Sequence, residues 1–292
     1  MQTGNGPTVN IGGRLYGFSR PWVMGIVNAT PDSFYATSRH MGEEAGVAAE
    51  RLVAEGADII DLGACSTRPG AGEVSSEEEQ ERLDRALEAI RRRLPDALVS
   101  VDTWRASVAR KCVEKWGVSM INDISGGDYD PEMWPTVAEL HVPYIAMHTR
   151  GVPSNMSSLT DYDDVTAEVL RDLAFKADAL HQLGVSDVIV DPGFGFAKST
   201  DQNYELLARL GVFRETGCPV LAGMSRKRMV WQELAVSPAA ALPGTTAINT
   251  MALLNGADIL RVHDVAAAVQ AVGVFMAYRR NAPRQQNSIQ RF

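Results

Sequence analysis

The chain has 292 residues, of which 45% are hydrophobic and 22% charged, and its 28 Lys+Arg against 36 Asp+Glu give a formal net charge of −8. That balance is of a globular protein long enough to bury a sizeable core, and an acidic chain with no basic block argues against generic binding to nucleic acid or acidic membranes. Cys65, Cys112 and Cys218 have no C-x-x-C spacing, which excludes a zinc ribbon and fits free thiols in a reducing cytoplasm. The polar, Gly-rich stretch Met1 to Asn10 is no signal peptide, and no apolar run reaches the roughly 18 residues of a membrane span.

Thr8 to Ser19 reads as a short hairpin, with Val9, Ile11, Leu15 and Phe18 flanking the turn signal Gly12-Gly13. Eight short runs rich in Val, Ile and Leu follow, as strands buried on both faces require. They are Trp22 to Val27, Asp58 to Gly63, Leu98 to Asp102, Val118 to Asn122, Val142 to Met147, Asp187 to Asp191, Pro219 to Gly223 and Asp258 to Val262. Between them lie helical patterns at Glu43 to Glu55, Glu77 to Arg93, Asp161 to Leu183 and Asp201 to Arg209. The second has acids first and arginines last, as the helix dipole prefers. Strands alternating with helices in this length predict an α/β fold, a (β/α)8 TIM barrel with a short N-terminal β-hairpin. A doubly wound sheet is the alternative, but no G-x-G-x-x-G follows the first long run. No linker interrupts the pattern, so residues 1–292 read as one domain, with the barrel over about 22–280 and a frayed tail at 281–292. The last helix, Asp264 to Tyr278, is apolar almost all round, which predicts a second covered face and a homodimer, or else cover by the tail.

In a (β/α)8 barrel the active site lies at the C-terminal ends of the strands. The residues there fall into two chemical sets. Asp102, Asn122 and Asp191 can accept hydrogen bonds from a planar heterocycle bearing an amine and a ring N–H, and Phe196 can stack on its face. Arg68, Lys227, Arg261 and His263 can hold a phosphate or pyrophosphate. Asp61 lies inside an apolar run, where a structural carboxylate is at least as good a reading as a catalytic one. Met147 reads more readily as core than as a ligand contact. No zinc-type ligand cluster, G-x-S-x-G elbow or P-loop is present in the sequence.

At these residues the sequence resembles the dihydropteroate synthase family. The matching segments are Met24-Gly25-Ile26-Val27-Asn28 with Thr30 to Phe34, Ser66 to Gly70, and Asn122 to Gly127. Asp191-Pro192-Gly193 with Gly195-Phe196, Ser225-Arg226-Lys227 and Arg261-Val262-His263 complete the set, in family order. The resemblance implies condensation of 6-hydroxymethyl-7,8-dihydropterin pyrophosphate with 4-aminobenzoate to 7,8-dihydropteroate and pyrophosphate, with sulfonamides as mimics of the aminobenzoate. It implies a pterin pocket of Asp102, Asn122, Met147, Asp191, Phe196, Gly223 and Lys227. It places Asn28, Thr67, Arg68, Arg261 and His263 around the pyrophosphate, with Mg2+ on Asn28, and Phe34, Thr67, Pro69, Ser225 and Lys227 around the aminobenzoate. Lys227, Arg261, His263 and Arg68 would be the catalytic group.

Three positions depart from the family pattern. Tyr35-Ala36-Thr37 stands where the family carries Ser-Asp-Gly, Ala64-Cys65 where it carries Gly-Glu, and Trp231 where it carries Gly. Three competing readings share parts of the site: a pterin-dependent methyltransferase domain, a Schiff-base aldolase acting through Lys227, and a pterin-binding paralogue without turnover, suggested by Ala36.

Overall fold

The computed structural model describes residues 7–30, 38–65 and 74–282, with the backbone alone for 38–41. Phe34, Ala36, Thr67, Arg68, Pro69 and the tail from 283 lie outside the described residues. Strands β1 (Thr8–Ile11) and β2 (Arg14–Gly17) pair antiparallel across Gly12 and Gly13, whose φ values of 58° and 84° suit glycine in a tight hairpin turn.

Eight further strands form a parallel sheet: β3 (Trp22–Asn28), β4 (Ile59–Gly63), β5 (Val99–Asp102), β6 (Met120–Asp123), β7 (Tyr144–Met147), β8 (Val188–Asp191), β9 (Leu221–Ala222) and β10 (Ile259–Val262). The sheet runs in the order β8-β7-β6-β5-β4-β3-β10-β9, and a parallel bridge between Val190 and Val220 joins its two edges into a barrel. All eight sequence runs are therefore barrel strands, and the hairpin is present.

The helices α1 (Ser38–Ala54), α2 (Ser76–Arg93), α5 (Val165–Gln182), α6 (Thr200–Ala208) and α9 (Val265–Asn281) lie where the apolar periodicity places them. The structure adds α3 (Ala106–Trp116), α4 (Met133–Leu140), the single turn α7 (Arg228–Trp231) and α8 (Leu242–Leu254). Among the described residues no helix is long and apolar enough to cross a membrane.

The strands feed two separate cores, because successive side chains of a strand point to opposite faces. Val23, Ile60, Val101, Ile121, Val190 and Leu260 pack outward beneath the helices. Met24, Ile59, Met120, Ile145, Ile189, Leu221 and Ile259 pack inside the barrel against Val9, Ile11, Phe18 and Trp22. The hairpin thus closes the N-terminal end of the barrel. Its fixing points are the Asn10 N–H, which donates to Asp187 Oδ1 at 2.8 Å, and Trp22, whose ring meets Tyr16 edge-on at 5.7 Å and Phe18 at 5.0 Å.

Inside the barrel the inward phase changes from apolar to polar one step up each strand. Asp61 stands two residues after Ile59, Asn122 two after Met120, Asp191 two after Ile189 and Arg261 two after Ile259. The strand alternation thereby points every one of these groups inward, above a hydrocarbon floor. That floor is testable. Trp22→Ala removes the indole that joins hairpin to barrel, with an expected loss of about 3–5 kcal/mol in unfolding free energy by urea titration. A loss under about 1 kcal/mol would mean that the hairpin is not part of the cooperative core.

Candidate active site

The polar layer is organised by register. Asn28 pairs with Gly63, Gly63 with Asp102, and Asp102 with Asn122, so the four stand side by side at the C-terminal rim of β3 to β6. One step below, Asp61 is wholly buried. Its Oδ2 accepts the Nε–H of Arg261 at 2.6 Å and a hydrogen of Asn122 Nδ2 at 3.1 Å. Arg261 also donates through Nη2 to Asp102 Oδ2 at 2.7 Å. The two chemical sets that the sequence suggests are therefore interlocked, with the cationic Arg261 held between two carboxylates.

The electrostatics follow from burial. Asp102 is held above the usual carboxylate range by desolvation, opposed by Arg261 and reinforced by Asp61. Desolvation opposes the Arg261 charge, but Asp61 and Asp102 more than offset it, so its pKa is raised. Arg261 is a permanent cation.

The β8 loop forms the opposite wall. Asp191 is buried and its Oδ1 accepts the Gly193 N–H at 2.8 Å. Its pKa is raised by desolvation, with Lys227 as the main opposing charge. Gly193 has φ 72°, and a Cβ there would lie 1.9 Å from the His148 carbonyl oxygen, so only glycine lets the loop run this close to the end of β7. Lys198 fastens the same loop from behind. Its Nζ lies 3.1 Å from the Gly193 carbonyl oxygen, 3.0 Å from that of Phe196 and 3.0 Å from His148 Nδ1, which uses all three of its donors. His148 is kept neutral, its pKa pushed down to about 2 by burial and then by the Lys198 and Lys176 charges.

Lys227 meets this loop from the next strand. Its Nζ donates to the Phe194 carbonyl oxygen and stands 4.7 Å from the centre of the Phe196 ring, a cation–π arrangement. Phe194 is fully buried and Phe196 half-buried at the mouth. Desolvation lowers the Lys227 pKa to about 8, against the pull of Asp191, and lowers that of Lys198 to about 7.

The neighbouring Arg226 points away from the site. It forms a two-bond pair with Asp264 at 2.8 Å for each contact, and it donates to the carbonyl oxygens of Pro238 and Ala239. With φ 53° it turns the chain between Ser225 and Lys227. The buried Ser225 Oγ accepts the His263 N–H at 3.2 Å and lies 3.1 Å from His263 Nδ1. His263 is exposed at the rim, yet partial desolvation and then the Arg261 cation lower its pKa. Met147 is buried and registers with Asp191, while a side chain on Gly223 would begin 3.8 Å from Arg261 Cβ, space that glycine leaves open.

Other polar groups hold the frame. Asp123, next to Asn122, faces outward and is satisfied by the Ser125 N–H and hydroxyl, the Gly127 N–H and the Tyr144 hydroxyl. Arg82 donates to the Ala64 carbonyl oxygen at 3.0 Å and Arg105 to that of Val74 at 2.7 Å, gripping the chain on either side of 66–73. Arg105 is itself paired with the buried Glu79. Cys65 lies 3.7 Å from Arg105, and burial pushes its thiol up to about 12, so it is a protonated thiol and no nucleophile.

Among the described residues no group of three or more His, Cys, Asp or Glu gathers as a metal site. The donor set at the rim suits a hard cation carried mainly by other oxygens. Asn28 is exposed, and its Oδ1 and Asp102 Oδ2 each lie 3.9 Å from the point where a side chain on Gly63 would begin. Glycine there keeps the space between the two oxygens open.

A parallel barrel with this layer at its C-terminal mouth has counterparts among known proteins. Residues 24–263 match the family described as pterin binding enzyme. The dihydropteroate synthase of Escherichia coli strain K12 is 43% identical over 262 residues, which cover 89% of this chain and 92% of that protein. The structure of Xanthomonas albilineans dihydropteroate synthase with 4-aminobenzoic acid superposes with a TM-score of 0.87 at 41% identity, covering 96% of this chain and all of that one. The Yersinia pestis dihydropteroate synthase in a sulfonamide drug complex gives the same TM-score at 38% identity, covering 94% of this chain and 100% of that one. The chain belongs to the dihydropteroate synthase family.

Lys198, which is buried, and the half-buried Lys227 make the site's polarity measurable without substrate. Two lysine side-chain signals are expected to titrate by NMR near pH 7 and 8, and Lys198→Met and Lys227→Met should each abolish one. Titration of both at the ordinary value of about 10.4 would contradict their burial.

Proposed function

We infer that the chain is a dihydropteroate synthase, joining 6-hydroxymethyl-7,8-dihydropterin pyrophosphate to 4-aminobenzoate with loss of pyrophosphate. The observation that carries this reading is the inward polar layer that brings Asn122, Asp102 and Asp191 together with Arg261 and Lys227 at the C-terminal mouth of the barrel. Asp191 and Asn122 take the amine and ring N–H groups of the dihydropterin, and Lys227 directs an ammonium N–H at its ring. Met147 and Phe196 supply apolar contact, with Gly223 making room. Asp102 lies beside the reacting end and faces the positive charge that spreads into the dihydropterin as the carbon–oxygen bond breaks.

The leaving pyrophosphate goes to Arg261 and His263, with Thr67 and Arg68 completing the cluster. Desolvation and then the Arg261 field lower the His263 pKa, and the pyrophosphate charge opposes the second of these. Asn28 would hold Mg2+ through one side-chain oxygen, and the cation would supply neutralisation of the pyrophosphate charge. The aniline nitrogen of 4-aminobenzoate, held by Phe34, Pro69, Thr67, Ser225 and Lys227, then forms the new carbon–nitrogen bond to the carbon that pyrophosphate has left, and releases one proton to water. Its lone pair is free at neutral pH, so alignment rather than a strong base supplies the remaining acceleration.

Met251, Leu254, Val274 and Tyr278 are exposed on α8 and α9, and this apolar face supports a homodimer of a cytoplasmic enzyme.

Purified protein with Mg2+ and both substrates should release pyrophosphate and form dihydropteroate, and a sulfonamide should compete with 4-aminobenzoate. Lys227→Ala should lower kcat/KM for the pterin substrate by about 100-fold or more. Pterin binding without turnover would favour the non-catalytic reading, and full activity of Lys227→Ala would remove that residue from the site.

A further inference from the structure

Asp61 has no part in the proposed chemistry, yet it occupies the centre of the site. It is wholly buried, on the inward phase of β4, at a level where the strands change from hydrocarbon to polar side chains. Burial of a carboxylate costs several kcal/mol, and replacing such a group with hydrocarbon of similar shape is often neutral for stability. Its own Oδ1 has no hydrogen-bond partner among the described residues, so self-satisfaction does not account for the group. Its Oδ2 does two things at once. It accepts Arg261 Nε–H, from the pyrophosphate half of the site, and Asn122 Nδ2–H, from the pterin half.

We propose that Asp61 is a positioning residue that couples these halves, anchoring Arg261 by its Nε and fixing the flip of the Asn122 amide. The proposal rests on the dihydropteroate synthase reading for the identity of the two ligands. Its geometry has two consequences. With Nε held by Asp61, only the two Nη groups of Arg261 change partners, and Nη2 now rests on Asp102 at 2.7 Å. An arriving pyrophosphate therefore competes with Asp102 and leaves the anchor in place. Asn122, with Nδ2 donating to a carboxylate, cannot reverse its amide without setting oxygen against oxygen. Its Oδ1 is thereby committed as an acceptor for a ring N–H of the pterin.

The test uses Asp61→Asn, which keeps the shape and one acceptor and removes the charge. Direct binding by calorimetry is read for pyrophosphate with Mg2+ and for 6-hydroxymethylpterin, alongside KM for 4-aminobenzoate. Both affinities should weaken by roughly tenfold or more, the usual scale of a lost charged hydrogen bond, while KM for 4-aminobenzoate stays within about twofold. A merely structural carboxylate would lower the melting temperature and leave the affinities of the folded protein unchanged, and that result would overturn the proposal. Should Asp61→Asn not fold, the unmodified protein decides. The Arg261 Nε–H NMR signal, assigned by its loss in Arg261→Lys, should stay protected from solvent exchange both without ligand and with pyrophosphate. Exchange at the free-arginine rate in either state would overturn the anchor. Absence of turnover in the unmodified protein would defeat the functional reading alone, since the NMR measurement needs no reaction.

Discussion

A guanidinium held between the buried carboxylate of Asp61 and the half-buried one of Asp102 sets the character of this barrel. Arg261 spans from Asp61 to Asp102, and the three groups come from three different strands. Removing one member of such a group leaves an uncompensated buried charge, which costs about 3–5 kcal/mol. The mouth of the barrel is therefore over-determined: the charges hold one another in place before any substrate arrives. Catalysis by departure of an anion from a delocalised cation needs this kind of fixed field, because the dipoles are already oriented when charge develops.

Around this centre the chain spends its unusual residues on geometry. Gly193 permits the β8 loop to touch the end of β7, and Lys198 ties two carbonyl oxygens of that loop to His148, the residue just past β7. Arg226 fastens the turn that aims Lys227, and Arg105 with Glu79 holds the chain beyond residue 73. These groups do not face the cavity. They fix where Phe196, Lys227 and His263 stand, on loops that a bare backbone would leave free to shift.

The strands were legible because a buried parallel sheet needs consecutive Val, Ile and Leu, and each run ends where its polar residue begins. Asp102, Asn122, Asp191 and Arg261 could be named from that position alone. The two-residue alternation within the runs carries further information, since it places Asp61 on the same phase as Ile59 and Gly63. The partners of Asp61 could not be read, because Arg261 is 200 positions away and only closure of the barrel joins them. Lys198 was equally hidden: a lysine after a glycine-rich loop looks like a solvated charge until the loop folds back over it. The short helices escaped for local reasons. Leu242-Pro243-Gly244 opens α8 with residues typical of a loop, and α4 is eight residues long with Pro135 in its first turn. Trp231, which stands where the family carries glycine, packs at the edge of the helix-facing core, and its backbone N–H donates to the Lys227 carbonyl oxygen at 3.4 Å.

The hairpin at the far end has a kinetic meaning. Val9, Ile11, Phe18 and Trp22 stop one end of the tube with hydrocarbon, so the cavity is a blind well. Everything that enters must leave by the rim it came through.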